Sequence, residues 1–189
     1  MPILTSETNL YPVNLLETPH LDRSCEKCLS DWWVFYTRAR QEKSLSRDLL
    51  QREIPFYLPL VPRRLLIRGR PVHSLVPLFT GYVFVFGSDD DRVRALMTNR
   101  VAQVFPVMDA EQLRGDLLKI QLLIESGAAL TVESQLAPHQ HVRIRAGALA
   151  GLEGSVIRRK NETRLMVWVT MLQQGVSLEI DDYLLEPVG

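Results

Sequence analysis

The sequence predicts an α+β chain in two parts: a mixed α/β part over residues 31–126 and a small β-barrel over residues 139–189. Three observations predict it. Residues 31–126 alternate strand, helix and hairpin signals. From His139 the texture changes to short alternating runs with glycine turns, four strand candidates within about fifty residues, which is the spacing of a small barrel. The length, 189 residues, suits one large domain or two small ones.

Each element has its own signal. Residues 1–30 show no sustained periodicity, hold Pro2, Pro12 and Pro19, and read as a mobile N-terminal extension. Trp32–Thr37 is aromatic and β-branched, a strand. Arg38–Arg52 favours helix, with Leu45, Leu49 and Leu50 close to one face, and Pro55 closes it. Residues 57–62 are extended and proline-punctuated. Arg63–His73 reads as a basic hairpin with its tip at Gly69. Leu78–Phe86 is apolar in both alternation sets, which marks a central strand covered on both faces. Asp89–Thr98 is a short helix with an acidic first turn, and Val101–Val107 is another strand. Ala110–Ser126 is a helix with Leu113, Leu117, Ile120 and Ile124 on one face, ended by Gly127. Residues 127–138 read as a linker. Val142–Ile144, Ser155–Ile157, Leu165–Val169 and Val176–Ile180 are the strands of the second part.

Composition excludes several classes. Apolar residues make up 46% and charged residues 23%, ordinary for a soluble globular protein. No apolar run reaches the roughly 18 residues of a membrane helix. Met1–Leu10 lacks the basic and apolar regions of a signal peptide. With only two cysteines, a reducing cytoplasm is the expected location. The net charge is zero but unevenly spread: −3 over residues 1–31, +6 over 32–105, −3 over 106–138 and balanced beyond. Regional charge governs attraction to phosphate, so nucleic acid stays open as a partner of the first part, and the acidic N-terminal stretch is expected to limit non-specific DNA binding.

No catalytic constellation emerges: His20, His73, His139 and His141 are scattered, and there is no nucleophile elbow, phosphate loop or metal-spaced carboxylate cluster. The chain reads as a non-enzyme without a cofactor. Cys25-x-x-Cys28 has zinc or redox spacing, but four ligands and a strand–helix context are lacking, so no metal site is assigned.

Two stretches carry a resemblance. Pro77-Leu-Phe-Thr-Gly-Tyr-Val-Phe-Val85, after strand, helix and basic hairpin, and Val142-Arg-Ile-Arg-Ala-Gly-Ala-Leu-Ala-Gly-Leu-Glu-Gly-Ser-Val156, together resemble the NusG family of transcription elongation factors. The resemblance implies an N-terminal NGN domain with an antiparallel sheet (31–126) and an SH3-like KOW barrel (139–189). In that family the residues matching Tyr36, Phe79, Tyr82 and Phe84 line an apolar cavity for the clamp helices of RNA polymerase, and core packing is the alternative for each. Thr80 stands where the family usually has proline.

The resemblance further implies that Arg38, Arg40, Gln41, Arg52, Asn99 and Arg100 face the non-template DNA strand. The alternative is a solvated helix face, with Arg38 paired to Glu42 and with Asp48 beside Lys43 and Arg47. Gly147, Gly151 and Gly154 are the KOW glycines, placed for tight turns or close backbone approach. Met171 and Leu172 match the KOW contact with a small-subunit ribosomal protein or the termination factor Rho. The chain lacks the His-Thr-Thr run of one operon-specific member, with Asp89–Arg94 in that region, and lacks the Gly-Gly run of many housekeeping members near Phe105–Asp109. The expected function is therefore operon-specific antitermination of the RfaH/UpxY type by a monomer. A housekeeping NusG-type factor, and a KOW-type RNA- or ribosome-binding module without polymerase contact, are the alternatives.

Overall fold

A computed structural model describes residues 7–17, 30–67, 70–133, 140–159 and 162–188. Two compact units divide the chain at Ala110/Glu111.

The first unit contains β1 (Leu10–Tyr11), β2 (Asp31–Thr37), α1 (Glu42–Gln51), β3 (Phe56–Tyr57), β4 (Leu60–Ile67), β5 (Arg70–Pro77), β6 (Tyr82–Gly87), α2 (Asp89–Leu96) and β7 (Val101–Pro106). Five strands form an antiparallel sheet in the order β1-β3-β6-β2-β7, and β4 pairs with β5 as a separate hairpin. Period-two alternation splits β2 and β6 between two faces. Phe35, Val83 and Val85 join Leu45, Leu49 and Ala95 in one core cluster, which places both helices on that face. Burying each of the larger of these side chains, Ala95 excepted, stabilises the fold by about 1.5–3 kcal/mol. On the other face Val34 lies opposite Phe84 and Tyr36 opposite Tyr82. The apolar run of residues 78–86 thus serves two layers, as its composition predicts, although Leu78–Gly81 forms a turn and the strand starts at Tyr82.

Helix α1 is shorter than its propensity predicts, starting at Glu42, because Arg38–Gln41 forms a turn with Arg40 at φ 60°. Helix α2 starts in a capping box: Ser88 Oγ accepts the Asp91 N–H at 3.2 Å, and Asp91 Oδ2 accepts the Ser88 N–H at 3.1 Å.

The N-terminal stretch departs from expectation over residues 7–17. Leu10 pairs with Tyr57 and Tyr11 with Phe56. Leu15 and Leu16 are buried, and Asn9 O accepts the Leu58 N–H at 2.7 Å. A two-residue strand has no periodicity to read, so the sheet edge and the two leucines reveal this docking only in three dimensions. Cys25, Cys28 and His20 lie outside the described residues, as do Arg68, Gly69 at the hairpin tip, and His139.

The second unit holds α3 (Ala110–Glu125), whose first residue closes the first unit, and β8 (Thr131–Glu133), β9 (His141–Ile144), β10 (Glu153–Arg159), β11 (Glu162–Val169), β12 (Gln174–Glu179) and β13 (Leu185–Pro187). These six strands form an antiparallel sheet in the order β13-β9-β10-β11-β12-β8. Asp116 of α3 accepts the Thr170 N–H at 3.0 Å, which ties the helix to the 3-10 turn at Thr170–Leu172. Leu123 rather than Ile124 completes the buried face of α3 with Leu113, Leu117 and Ile120. Strand β8, in a stretch read as linker, pairs with β12 and is fixed by Ser177 Oγ donating to buried Glu133 Oε1 at 2.7 Å.

Candidate functional site

The turn before α1 and the turn after α2 meet at one end of the first unit. The Arg38 N–H donates to Arg100 O at 2.8 Å, and Arg38 Nη2 donates to Asn99 Oδ1 at 3.4 Å. Arg100 Nε donates to Asp48 Oδ2 and its Nη1 to Gln41 Oε1, both at 2.6 Å. Two pairs about sixty positions apart in sequence, Arg38 with Gln41 and Asn99 with Arg100, therefore form one polar cluster. Arg40 and Asn99 both adopt left-handed backbone, φ 60° and 62°. Asparagine tolerates this region, whereas arginine there carries strain of about 1–3 kcal/mol. Arg38 and Arg40 are exposed. Arg52, also expected in the set, joins through Asp48 at the end of α1: its Nη1 donates to Asp48 O at 3.2 Å, and its own carbonyl accepts Arg94 Nη2 at 2.9 Å.

Two pairings that the alternative reading of α1 offered do not form among the described residues. Arg38 precedes the helix, so helical spacing does not bring it to Glu42. Instead Glu42, 5% exposed, accepts the Gly81 N–H at 2.7 Å. Asp48 pairs with Arg100, and Lys43 and Arg47 pair with Glu7. Glu7 is the member that sequence reasoning missed, and Asp48 the one it placed beside Lys43 and Arg47 rather than Arg100. Asp48 had a signal, as the lone acidic residue between Lys43 and Arg52. Glu7 had none, because its position depends on the docking of β1. Burial pushes the Glu7 carboxyl up, but hydrogen bonds and charge from Lys43 and Arg47 outweigh it and leave the group below its ordinary 4.5.

The four aromatics share one sheet face but differ in access. Phe79 and Phe84 are only 1% and 0% exposed, their rings edge-to-face at 6.4 Å, and Tyr57 stacks on Phe84. Tyr36 is 39% exposed and Tyr82 is half-buried, with ring centroids 5.2 Å apart. The structure therefore brings Tyr36 and Tyr82 to the surface as a pair, with Phe79 and Phe84 packed beneath accessible depth.

In the second unit Gly147 and Gly151 have φ 95° and 87°, and a Cβ on Gly154 would lie 2.5 Å from Met166 O. These glycines shape the loop and the β10–β11 approach. A cavity of about 420 Å³ lies between that loop (148–153) and Lys119 and Leu122 of α3. Leu172 is buried, 9% exposed, and Met171 is half-buried. Arg143 holds the Glu153 carboxyl below its ordinary range through a hydrogen bond at the sheet surface. Among the described residues no group of three or more His, Cys, Asp or Glu side chains is placed to hold a metal ion. No helix of the described residues is long and apolar enough to cross a membrane.

Residues 30–114 match the family model described as NusG, transcription termination factor nusG. A solved structure on domain interaction in Thermotoga maritima NusG is similar at 16% identity and a TM-score of 0.46, over 85% of this chain and 98% of that one. A crystal structure of the MjSpt4:Spt5 complex, conformation B, is similar at 17% identity and a TM-score of 0.27, over 84% and 97%. No curated protein matches the chain. Over residues 30–114 the chain is NusG-like.

Proposed function

We propose that this NusG-like chain is a transcription elongation and antitermination factor that acts by binding, without covalent chemistry. The observation that carries the reading is the meeting of Arg38, Gln41, Asn99 and Arg100 at one end of the unit that matches the family. Exposed Arg38 and Arg40 offer forked donors to a phosphate backbone and planes to unpaired bases, as a non-template DNA strand presents them. Arg100 and Gln41 spend donor and acceptor on each other and act as the frame. Exposed Tyr36 and half-buried Tyr82 supply an aromatic anchor for the clamp helices of RNA polymerase, a helix-in-groove contact. A ligand that binds the closed clamp better than the open one shifts the population toward the closed, pause-resistant state.

The division of labour follows the expected NGN domain, linker and KOW domain. The KOW-like sheet reaches a small-subunit ribosomal protein or Rho through half-buried Met171, with buried Leu172 as its support. Action on particular long operons follows from the missing Gly-Gly run and the acidic N-terminal stretch. The cytoplasm is the compartment where these partners meet.

Paused elongation complexes with varied non-template bubbles test the reading. Purified protein is expected to shorten pauses, most on a subset of bubble sequences. Unchanged pausing on every template would remove the elongation role. An equal response on all templates would leave a housekeeping factor.

A further inference from the structure

Lys43 and Arg47 stand one turn apart on α1, so two like charges face each other across the spacing at which they repel. Arg47 lies about 100° round the helix from Asp48, away from the polar cluster of Arg38 and Arg100. The single carboxylate that bridges the two cations comes from far away in sequence. Glu7 Oε2 is shut off from solvent and faces Lys43 Nζ at 3.1 Å, while Glu7 Oε1 accepts from Arg47 Nη2. The carboxylate is delivered by the docked stretch of residues 7–17, held by Leu10 and Tyr11 on β3 and by buried Leu15 and Leu16.

A carboxylate between an ammonium and a guanidinium occupies the place of any oxyanion, and phosphate fits the same donors. The Arg47 side chain is 59% exposed, so an incoming phosphate reaches it once Glu7 swings away. We propose that Lys43 and Arg47 form a phosphate-binding site on α1 that Glu7 occupies as an internal stand-in, so that the N-terminal stretch competes with a nucleic-acid backbone. This rests on the reading of the first unit as a nucleic-acid-binding unit. It assigns the acidic character of residues 1–31 to one contact rather than to diffuse repulsion.

The test is binding of a single-stranded DNA oligonucleotide by the full chain as a function of salt. Each phosphate neutralised on a single strand adds about 0.7 to the slope of log K against log salt. Glu7→Gln is expected to tighten binding at low salt and to steepen the slope by about 1.4, two cations' worth. Glu17→Gln removes the same charge from the same stretch and is expected to leave the slope unchanged. Adding Lys43→Gln and Arg47→Gln to Glu7→Gln is expected to return the slope to the parent value or below.

Equal effects of Glu7→Gln and Glu17→Gln would overturn the proposal, as would a triple variant indistinguishable from Glu7→Gln. A paired Arg38→Ala, Arg40→Ala variant separates the two readings. If it loses binding while Glu7→Gln changes nothing, the nucleic-acid reading stands and the Glu7 site falls. If it changes nothing while the Glu7, Lys43 and Arg47 effects hold, the α1 site stands and the cluster reading falls. Absence of oligonucleotide binding in every variant overturns both.

Discussion

Gly81 and Tyr36 compete for one volume: a Cβ on Gly81 would lie 2.7 Å from Tyr36 Cε2. Gly81 also has φ +87°, its N–H is held by Glu42 and its carbonyl by the Thr37 N–H, each at 2.7 Å. The peptide is pinned on both sides, so the backbone has little room to yield. Gly81→Ala is expected to destabilise the chain by about 1–3 kcal/mol and to displace the Tyr36 ring from Tyr82. Chemical denaturation checks this as a lower midpoint with an unchanged slope; an unaltered midpoint would contradict it.

The aromatic face makes a second prediction, in which position decides the kind of effect. Phe79→Ala empties a fully buried site and is expected to cost about 3–5 kcal/mol of stability. Any polymerase-binding defect it produces is then inseparable from misfolding. Tyr36→Ala together with Tyr82→Ala trims accessible rings and is expected to weaken polymerase binding at least tenfold, about 1.4 kcal/mol. A pull-down against RNA polymerase, beside a thermal melt, distinguishes the two. Wild-type binding by the tyrosine pair variant would rule out this face as the dock.

Asp48 anchors Arg100, with side chains 22% and 35% exposed. Such a pair contributes about 0.2–1 kcal/mol, so Asp48→Asn is expected to leave stability nearly unchanged. It leaves the Arg100 charge without its counter-ion, however, while Gln41 still holds the group, and single-stranded DNA binding is expected to show a salt slope steeper by about 0.7. The same substitution in an Arg100→Gln background is expected to have no effect on the slope. If both backgrounds respond alike, Asp48 acts only through net charge.

The docking of residues 7–17 is expected to depend on pH through Glu7. Its carboxyl lies below the ordinary 4.5 when docked. A group lowered in the docked state contributes its stabilisation above the ordinary value and loses it as pH falls through the docked value. Amide resonances of Leu10 and Tyr11 are therefore expected to move toward released positions as the pH drops below 4.5 in the parent, and to be pH-insensitive there in Glu7→Gln. Identical pH profiles would show that another group controls docking.

Much of this was legible in residues 31–188 because long elements carry period. The aromatic run at 32–37, the leucines of α1 and the doubly apolar run into β6 each announce their element and its buried face. The candidate cluster was legible as residue types, since arginines in a +6 region point to phosphate, but their grouping through Arg100 was not. Short strands were invisible: β1, β8 and β13 have two or three residues each and exist because a neighbour offers an edge.

Period, propensity and charge are local quantities, and they already specify the two-part α+β architecture, the basic first part and the glycine-rich second. Which aromatics reach the surface, which carboxylate each arginine meets and where Glu7 sits follow from packing in three dimensions. Those outcomes depend on competition among partners far apart in the chain. Asp48 satisfies Arg100 rather than Arg47, and Glu7 satisfies Lys43 and Arg47 in its place. Sequence spacing cannot rank such competitors, since the distances that choose between them arise only when the strands have paired.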